Sequence, residues 1–173
     1  VDTFWWNMGG TVADHMRRSF ERGVSFVNYR GWTGLENWSP MDAARLRNDN
    51  LPIALLLACN TNDYSNGNFS FCEALLRADG GAIGAIGNSG AAGRVNFNNA
   101  LMAGFYNGVF NGEPARLGWM VNRAKLELLS VYGAYAEDMA ANHCYWANLM
   151  GDPGTIIWRQ VPESATIEAP EQL

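Results

Sequence analysis

The residues able to do covalent chemistry are few: three cysteines, Cys59, Cys72 and Cys144, and two histidines, His15 and His143. Cys59 is placed to act. It closes the apolar run 53–58, IALLLA, and opens the polar stretch Asn60-Thr61-Asn62-Asp63. A thiol at a strand end is either a small buried hydrophobe or a nucleophile for acyl transfer. A nucleophilic thiol needs a base that takes its proton and returns it to the leaving amine. A second apolar run, 24–29 VSFVNY, ends in Arg30-Gly31-Trp32-Thr33-Gly34, a loop with a tryptophan where such chemistry wants an imidazole. Indole is only a donor and serves neither step. His143, in NHCYWANLM, and His15, on the helix before VSFVNY, are the alternative bases; each also reads as a surface or core-edge histidine.

The elements that must position these groups follow from patterning. Residues 10–22 space Val12, Met16 and Phe20 as one helix face, with Gly23 as a stop. Ser39-Pro40 starts a short helix, and 70–78 SFCEALLRA forms another before Asp79-Gly80-Gly81. The runs Val24–Tyr29, Ile53–Ala58 and Ala82–Ile86 are expected as neighbouring parallel strands, buried on both faces. Residues 98–110 and 115–133 carry helical periodicity, 137–150 is helical or irregular, and 155–159 TIIWR is expected as the closing strand. Asp152-Pro153 reads as the turn that feeds it. Strands alternating with helices define an α/β fold with a mainly parallel sheet covered on both sides. In such sheets the chemistry lies beyond the strands' carboxyl ends. Trp32, Cys59 and Asn88 should therefore gather on one rim, with the backbone N–H groups of Gly31 and Cys59 as oxyanion donors. Asn88 and Ser89 supply backbone donors or substrate contacts there.

Composition excludes several classes. At 173 residues with a net charge of −5, the chain suits one sizeable domain, and no basic cluster beyond Arg17-Arg18 invites nucleic acid. No apolar run reaches the roughly 18 residues of a membrane helix. An odd number of cysteines without a CxxC pair argues against a disulfide framework, and two histidines against a zinc site; no metal or cofactor is expected. The glycines of GGAIGAIGNSGAAG lack the register and acidic partner of a nucleotide fingerprint. Of the seven tryptophans, Trp5, Trp6, Trp32 and Trp38 are expected near one rim, and Trp119, Trp146 and Trp158 in the core. The chain begins at Val1 and ends in VPESATIEAPEQL, which reads as an exit segment (161–173) behind a domain of residues 1–160, a piece of a longer polypeptide.

Four ordered blocks, GVSFVNYRGWTG, LACNTNDYSNGNFSFCEALL, GGAIGAIGNSG and NLMGDPGTIIW, resemble the gingipain-like cysteine peptidases from about Glu21 to Trp158. The resemblance implies a caspase-like α/β/α sandwich holding the later part of a catalytic region. It implies Cys59 as nucleophile and Asn28-Tyr29-Arg30-Gly31 as the start of the loop that carries the family's histidine; here Trp32 occupies that position. Glu73 is the counterpart of an acidic position and reads as helix structure. Acidic pocket groups for basic substrates would be Asp63 and Glu36, the acidic residues near the two key loops. The partners implied are a peptide or protein substrate and the remainder of the parent polypeptide, in a secreted or cell-surface setting. Two readings stand: a cysteine-type endopeptidase weakened by loss of the histidine, or a catalytically inactive module with a binding or structural role. A different acyl-transfer enzyme on the same scaffold is a third. Trp32 packed over Cys59 is expected to desolvate the thiol.

Overall fold

The computed structural model describes residues 11–32, 35–65, 67–91, 93–111, 115–159 and 166. The side chain of Glu36, the loop residues Thr33 and Gly34, Trp5, Trp6 and the expected exit segment lie outside the described residues.

Among the described residues four strands form one sheet in the order β1 (Phe26–Tyr29), β2 (Ile53–Leu56), β3 (Gly84–Asn88), β4 (Ala147–Gly151). The first three are parallel, and β4 runs antiparallel on the β3 edge. All positions of β2 and β3 are buried. That is why these two read as continuous apolar runs rather than alternating ones. Alternation still decides which face each residue serves. Ile53, Leu55, Leu57 and Ile86 join a cluster with Phe97, Leu101, Phe105, Leu117, Met120 and Leu128. Ala54, Leu56, Val27 and Ala85 join another with Phe20, Trp38, Leu46, Phe71 and Leu75. The sheet thus separates two cores, giving a three-layer α/β/α sandwich with a mainly parallel sheet.

The first layer holds α1 (Val12–Glu21), a 3-10 turn (Leu35–Asn37), α2 (Pro40–Ala43) and α3 (Phe71–Arg77). Their starts follow from capping chemistry. Thr11, Ser39 and Ser70 each accept a hydrogen bond from the backbone N–H three residues on. At α2 the Asp42 carboxylate returns the bond to Ser39 N at 3.0 Å, closing a capping box. The other layer is α4 (Val95–Asn111) and α5 (Leu117–Trp146), the latter broken by a non-helical backbone at Ala136.

The expected closing strand is corrected. Residues 155–159 make only an isolated bridge, Arg116 to Ile156, and Ile156 and Trp158 are exposed. The sheet is closed instead by Ala147–Gly151, where Leu149 packs towards one core and Met150 towards the other. Such a short edge strand directly after a long helix has no periodic signal of its own. The tryptophans are corrected too. Trp38, expected at the rim, is buried between Phe20 and Phe71. Trp119 and Trp158, expected in the core, are exposed, and Trp146 is half-buried.

Two glycines give opposite expectations. A Cβ on Gly87, inside β3, would stand 2.6 Å from Thr61 Oγ1 and 2.7 Å from Cys72 Sγ, whereas one on helical Gly133 meets nothing within 4 Å. Gly87→Ala should lower unfolding stability by about 1–3 kcal/mol through overpacking. Gly133→Ala should raise it by about 0.5–1 kcal/mol by narrowing the unfolded ensemble. Urea denaturation checks both; equal effects would contradict the packing around β3.

Candidate active site

The three parallel strands end together. Tyr29, Leu56 and Gly87 are register partners across β1, β2 and β3. Three residues beyond that row lie Trp32, Cys59 and Gly90, so the sheet carries these loops to a common rim. The turn that presents Cys59 is held at every step. Ala58 N–H bonds to Leu56 C=O at 2.8 Å, Asn60 N–H to Gly90 C=O at 3.2 Å, and Asn62 N–H to Asn88 C=O at 3.1 Å. The buried Thr61 hydroxyl bonds to Leu56 C=O and to Ala58 C=O, and Cys72 N–H bonds to Thr61 C=O. Asn60 adopts φ of +56°, a left-handed conformation that costs a non-glycine residue about 1 kcal/mol and that asparagine tolerates best. The chain thus reverses sharply behind Cys59 and leaves its thiol half-buried.

Below the rim sits a polar network. Asn98, in the first turn of α4, donates from Nδ2 to Leu57 C=O at 2.7 Å. Its Oδ1 accepts from Asn88 Nδ2 at 3.1 Å and lies 2.7 Å from His143 Nε2. Asn98 Oδ1 cannot donate, so Nε2 carries the imidazole proton and Nδ1 is the ring's acceptor. Asn88, Asn98 and His143 are all buried, and His143 packs edge-on against Phe97 and Trp146. Burial penalises the imidazolium and pulls the His143 pKa down to about 4. It is therefore neutral at ordinary pH and a weak base.

The expected site residues separate accordingly. Gly31 and Trp32 are exposed, and the Tyr29 hydroxyl donates to Trp32 C=O at 3.1 Å. Trp32 is 82% exposed. Its ring stands in solvent and does not cover Cys59, which removes the expected desolvation. Asn88 is fully buried, so its side chain holds the network and offers a substrate nothing. Ser89 is half-buried, its hydroxyl accepting from Asn148 Nδ2 at 3.3 Å. Asp63 folds onto its own loop, accepting from the Ser65 hydroxyl at 2.6 Å and backbone at 3.0 Å; these bonds hold its pKa below the usual carboxylate range. Glu73 pairs with Arg77 along α3 at 2.9 Å. His15 is on the surface of α1, with Nδ1 3.2 Å from an Arg18 nitrogen.

Cys72 is fully buried, and burial raises its pKa strongly. Cys144 is half-buried, raised for the same reason, with Lys125 opposing the shift. The thiolate is the reactive form, and burial disfavours it at Cys72 and Cys144. Sequence reading missed Thr61, Asn62 and Asn98. Asn98 carried a signal: it shares a helix stripe with Leu101 and Phe105, and a polar residue in an apolar stripe is buried against partners. Thr61 and Asn62 lay in a segment whose composition reads as plain loop.

A three-layer sandwich with a cysteine on a tight turn beyond a central parallel strand defines a caspase-like cysteine-peptidase fold. The model of Peptidase family C25 matches residues 5–158, and the chain belongs to that family. No curated protein matches the chain. Among solved structures, gingipain R, an Arg-specific cysteine proteinase, superposes with a TM-score of 0.76 at 20% identity over 90% of this chain. The complex of the pro- and mature domains of RgpB from Porphyromonas gingivalis gives 0.81 at 18% identity, again over 90%. A structure described only as a protease gives 0.74 at 19%. The chain spans only 38–40% of the length of those chains.

Neutral, buried His143 makes stability depend on pH. The folded pKa, about 4, lies below the unfolded value near 6.5, so the unfolded state binds more protons between these limits. Stability contributed by the neutral ring is complete above pH 6.5 and falls as pH drops towards 4, by on the order of 2 kcal/mol. The Asp42 and Asp63 carboxylates, both lowered, lose their contribution at lower pH still. Urea unfolding between pH 4 and 7 should show this slope, and His143→Gln should flatten it. A slope unchanged by the substitution would contradict the assignment.

Proposed function

We propose that this is a cysteine-type endopeptidase domain with Cys59 as nucleophile, weakened because neither histidine of the chain serves the thiol. The observation that carries this reading is the commitment of His143 Nε2 to Asn98 in a buried network, while His15 lies on α1 with Arg18. In the proposed reaction the Cys59 thiolate adds to the scissile carbonyl carbon. Backbone N–H groups of Cys59 and Gly31 meet the oxyanion. Collapse expels the amine, which takes its proton from water, and water then hydrolyses the thioester. An absent general acid–base costs about 10²–10⁴-fold. Backbone donors do not depend on side-chain identity, so replacement of the family's histidine by Trp32 leaves that part intact.

The substrate is a peptide or protein. Asp63, Glu36 and Ser89 remain the proposed substrate contacts, and the Arg-specificity of gingipain R makes the two acidic residues the candidates for a basic side chain. The rest of the parent polypeptide is the proposed partner, with the pro-domain of the RgpB complex as the precedent. By that kinship the setting is secreted or cell-surface; among the described residues no helix is long and apolar enough to cross a membrane. The exposed indole of Trp32 favours a second reading, a catalytically inactive module that uses this rim for contact.

Hydrolysis of fluorogenic peptides with Arg at the cleaved bond tests the proposal. Wild-type turnover should be slow, abolished by Cys59→Ala, and raised at least about tenfold by Trp32→His. Turnover that survives Cys59→Ala would refute the nucleophile. Fast wild-type turnover that Trp32→His fails to raise would refute the missing base. No turnover in any variant would favour the inactive module.

A further inference from the structure

The rim is fixed from below by the first turn of one helix. Arg30, beyond β1, donates to Val95 C=O at 3.3 Å and to Asn99 Oδ1. Leu57, beyond β2, accepts from Asn98 Nδ2; Asn88, at the end of β3, donates to Asn98 Oδ1; His143, near the end of α5, does the same. Of these contacts only one reaches the chain segment carrying the thiol: Leu57 is two residues before Cys59. The other bonds at the turn join its own backbone, the Thr61 hydroxyl and the Asn62 side chain to β2, β3, β4, α3 and the loop after β3.

We propose that Asn98 is a positioning residue for Cys59: its amide nitrogen fixes the Leu57 carbonyl, and thereby the departure of the chain into the Cys59 turn. The Leu57 carbonyl can only accept, so it fixes which way the Asn98 amide faces. The Asn98 oxygen then sets the orientation of the Asn88 amide and the tautomer of His143. This orientation satisfies all three groups at once. His143 is then a hydrogen-bond donor to Asn98 rather than a base, in a dry site where its pKa is too low for general-base work at neutral pH. The role in catalysis rests on Cys59 being the nucleophile; the role in holding the turn does not.

Asn98→Asp separates these statements. It is isosteric, keeps the oxygen that faces Asn88 and His143, and replaces the donor to Leu57 with a second acceptor. Amide hydrogen exchange is expected to lose protection at least about tenfold at Ala58, Asn60 and Asn62. At Leu55 and Ile86, within the strands, it should stay within about twofold. Leu101→Ala, on the same helix, is the control: it should lower protection by a common factor at strand and turn alike. Should Asn98→Asp fail to fold, Asn98→Ser, which is too short to reach Leu57, should give the same selective loss. Iodoacetamide labelling of Cys59 should change at least about threefold in the Asn98 variants relative to the Leu101→Ala control. Uniform loss of protection in the Asn98 variants, matching that control, would overturn the proposal. Selective loss of protection in a protein whose peptide hydrolysis survives Cys59→Ala would uphold the positioning role while refuting the nucleophile.

Discussion

The hydrogen bonds of one buried amide, Asn98, hold the candidate site together. Buried polar groups are tolerated only when paired, because an orphaned donor or acceptor costs about 1–3 kcal/mol. Asn98 meets this demand for three groups at once: a carbonyl beyond β2, the Asn88 Nδ2 at the end of β3 and the His143 Nε2 on α5. A parallel sheet brings its strand ends to one rim but leaves their outgoing directions free. The network under Cys59 removes that freedom where the thiol must be presented, and the left-handed backbone at Asn60 is the strain it supports.

The same network supports the proposed absence of a base for Cys59. A histidine available to a thiol needs a half-polar setting that keeps its pKa near the working pH. His143 has the opposite setting: apolar rings of Phe97 and Trp146 on its flanks and a neutral amide on Nε2. No charged group appears among the causes of its shift, and burial alone sets its direction. The neighbouring loop, where Peptidase family C25 resemblance implies a histidine, carries a solvent-exposed indole. On the proposed reading, a thiol stands on a shaped turn with neither histidine serving it.

The sequence was informative where burial is symmetric. Residues 53–56 and 84–86 are apolar because both faces of a central parallel strand are covered, and that pattern carried strand identity and parallel order, although β3 begins two residues later than expected, after the exposed Ile83. Ser39, ahead of Pro40, announced its helix through capping chemistry that needs no tertiary context. Ala147–Gly151 stayed hidden because five residues on an edge, entered straight from a helix, leave too short a pattern; TIIWR looked better in isolation yet lies mostly outside the sheet. Trp32 and Trp38 show why side-chain burial is harder to read than element type. They lie six residues apart, yet one stands in solvent and the other fills a core. Asn88 was legible as a rim residue and its inward direction was not, since that depends on Asn98, ten residues away on another element.

The central claim is that the His143 ring belongs to Asn98 and not to Cys59. Nitrogen-15 NMR of the histidine side chains tests it directly. The account predicts a neutral His143 ring with its proton on Nε2, staying neutral down to about pH 5, and ring shifts unmoved when Cys59 is alkylated. A ring that is charged at neutral pH, or whose shifts move on alkylation of Cys59, would reveal a thiolate–imidazolium pair and contradict the account.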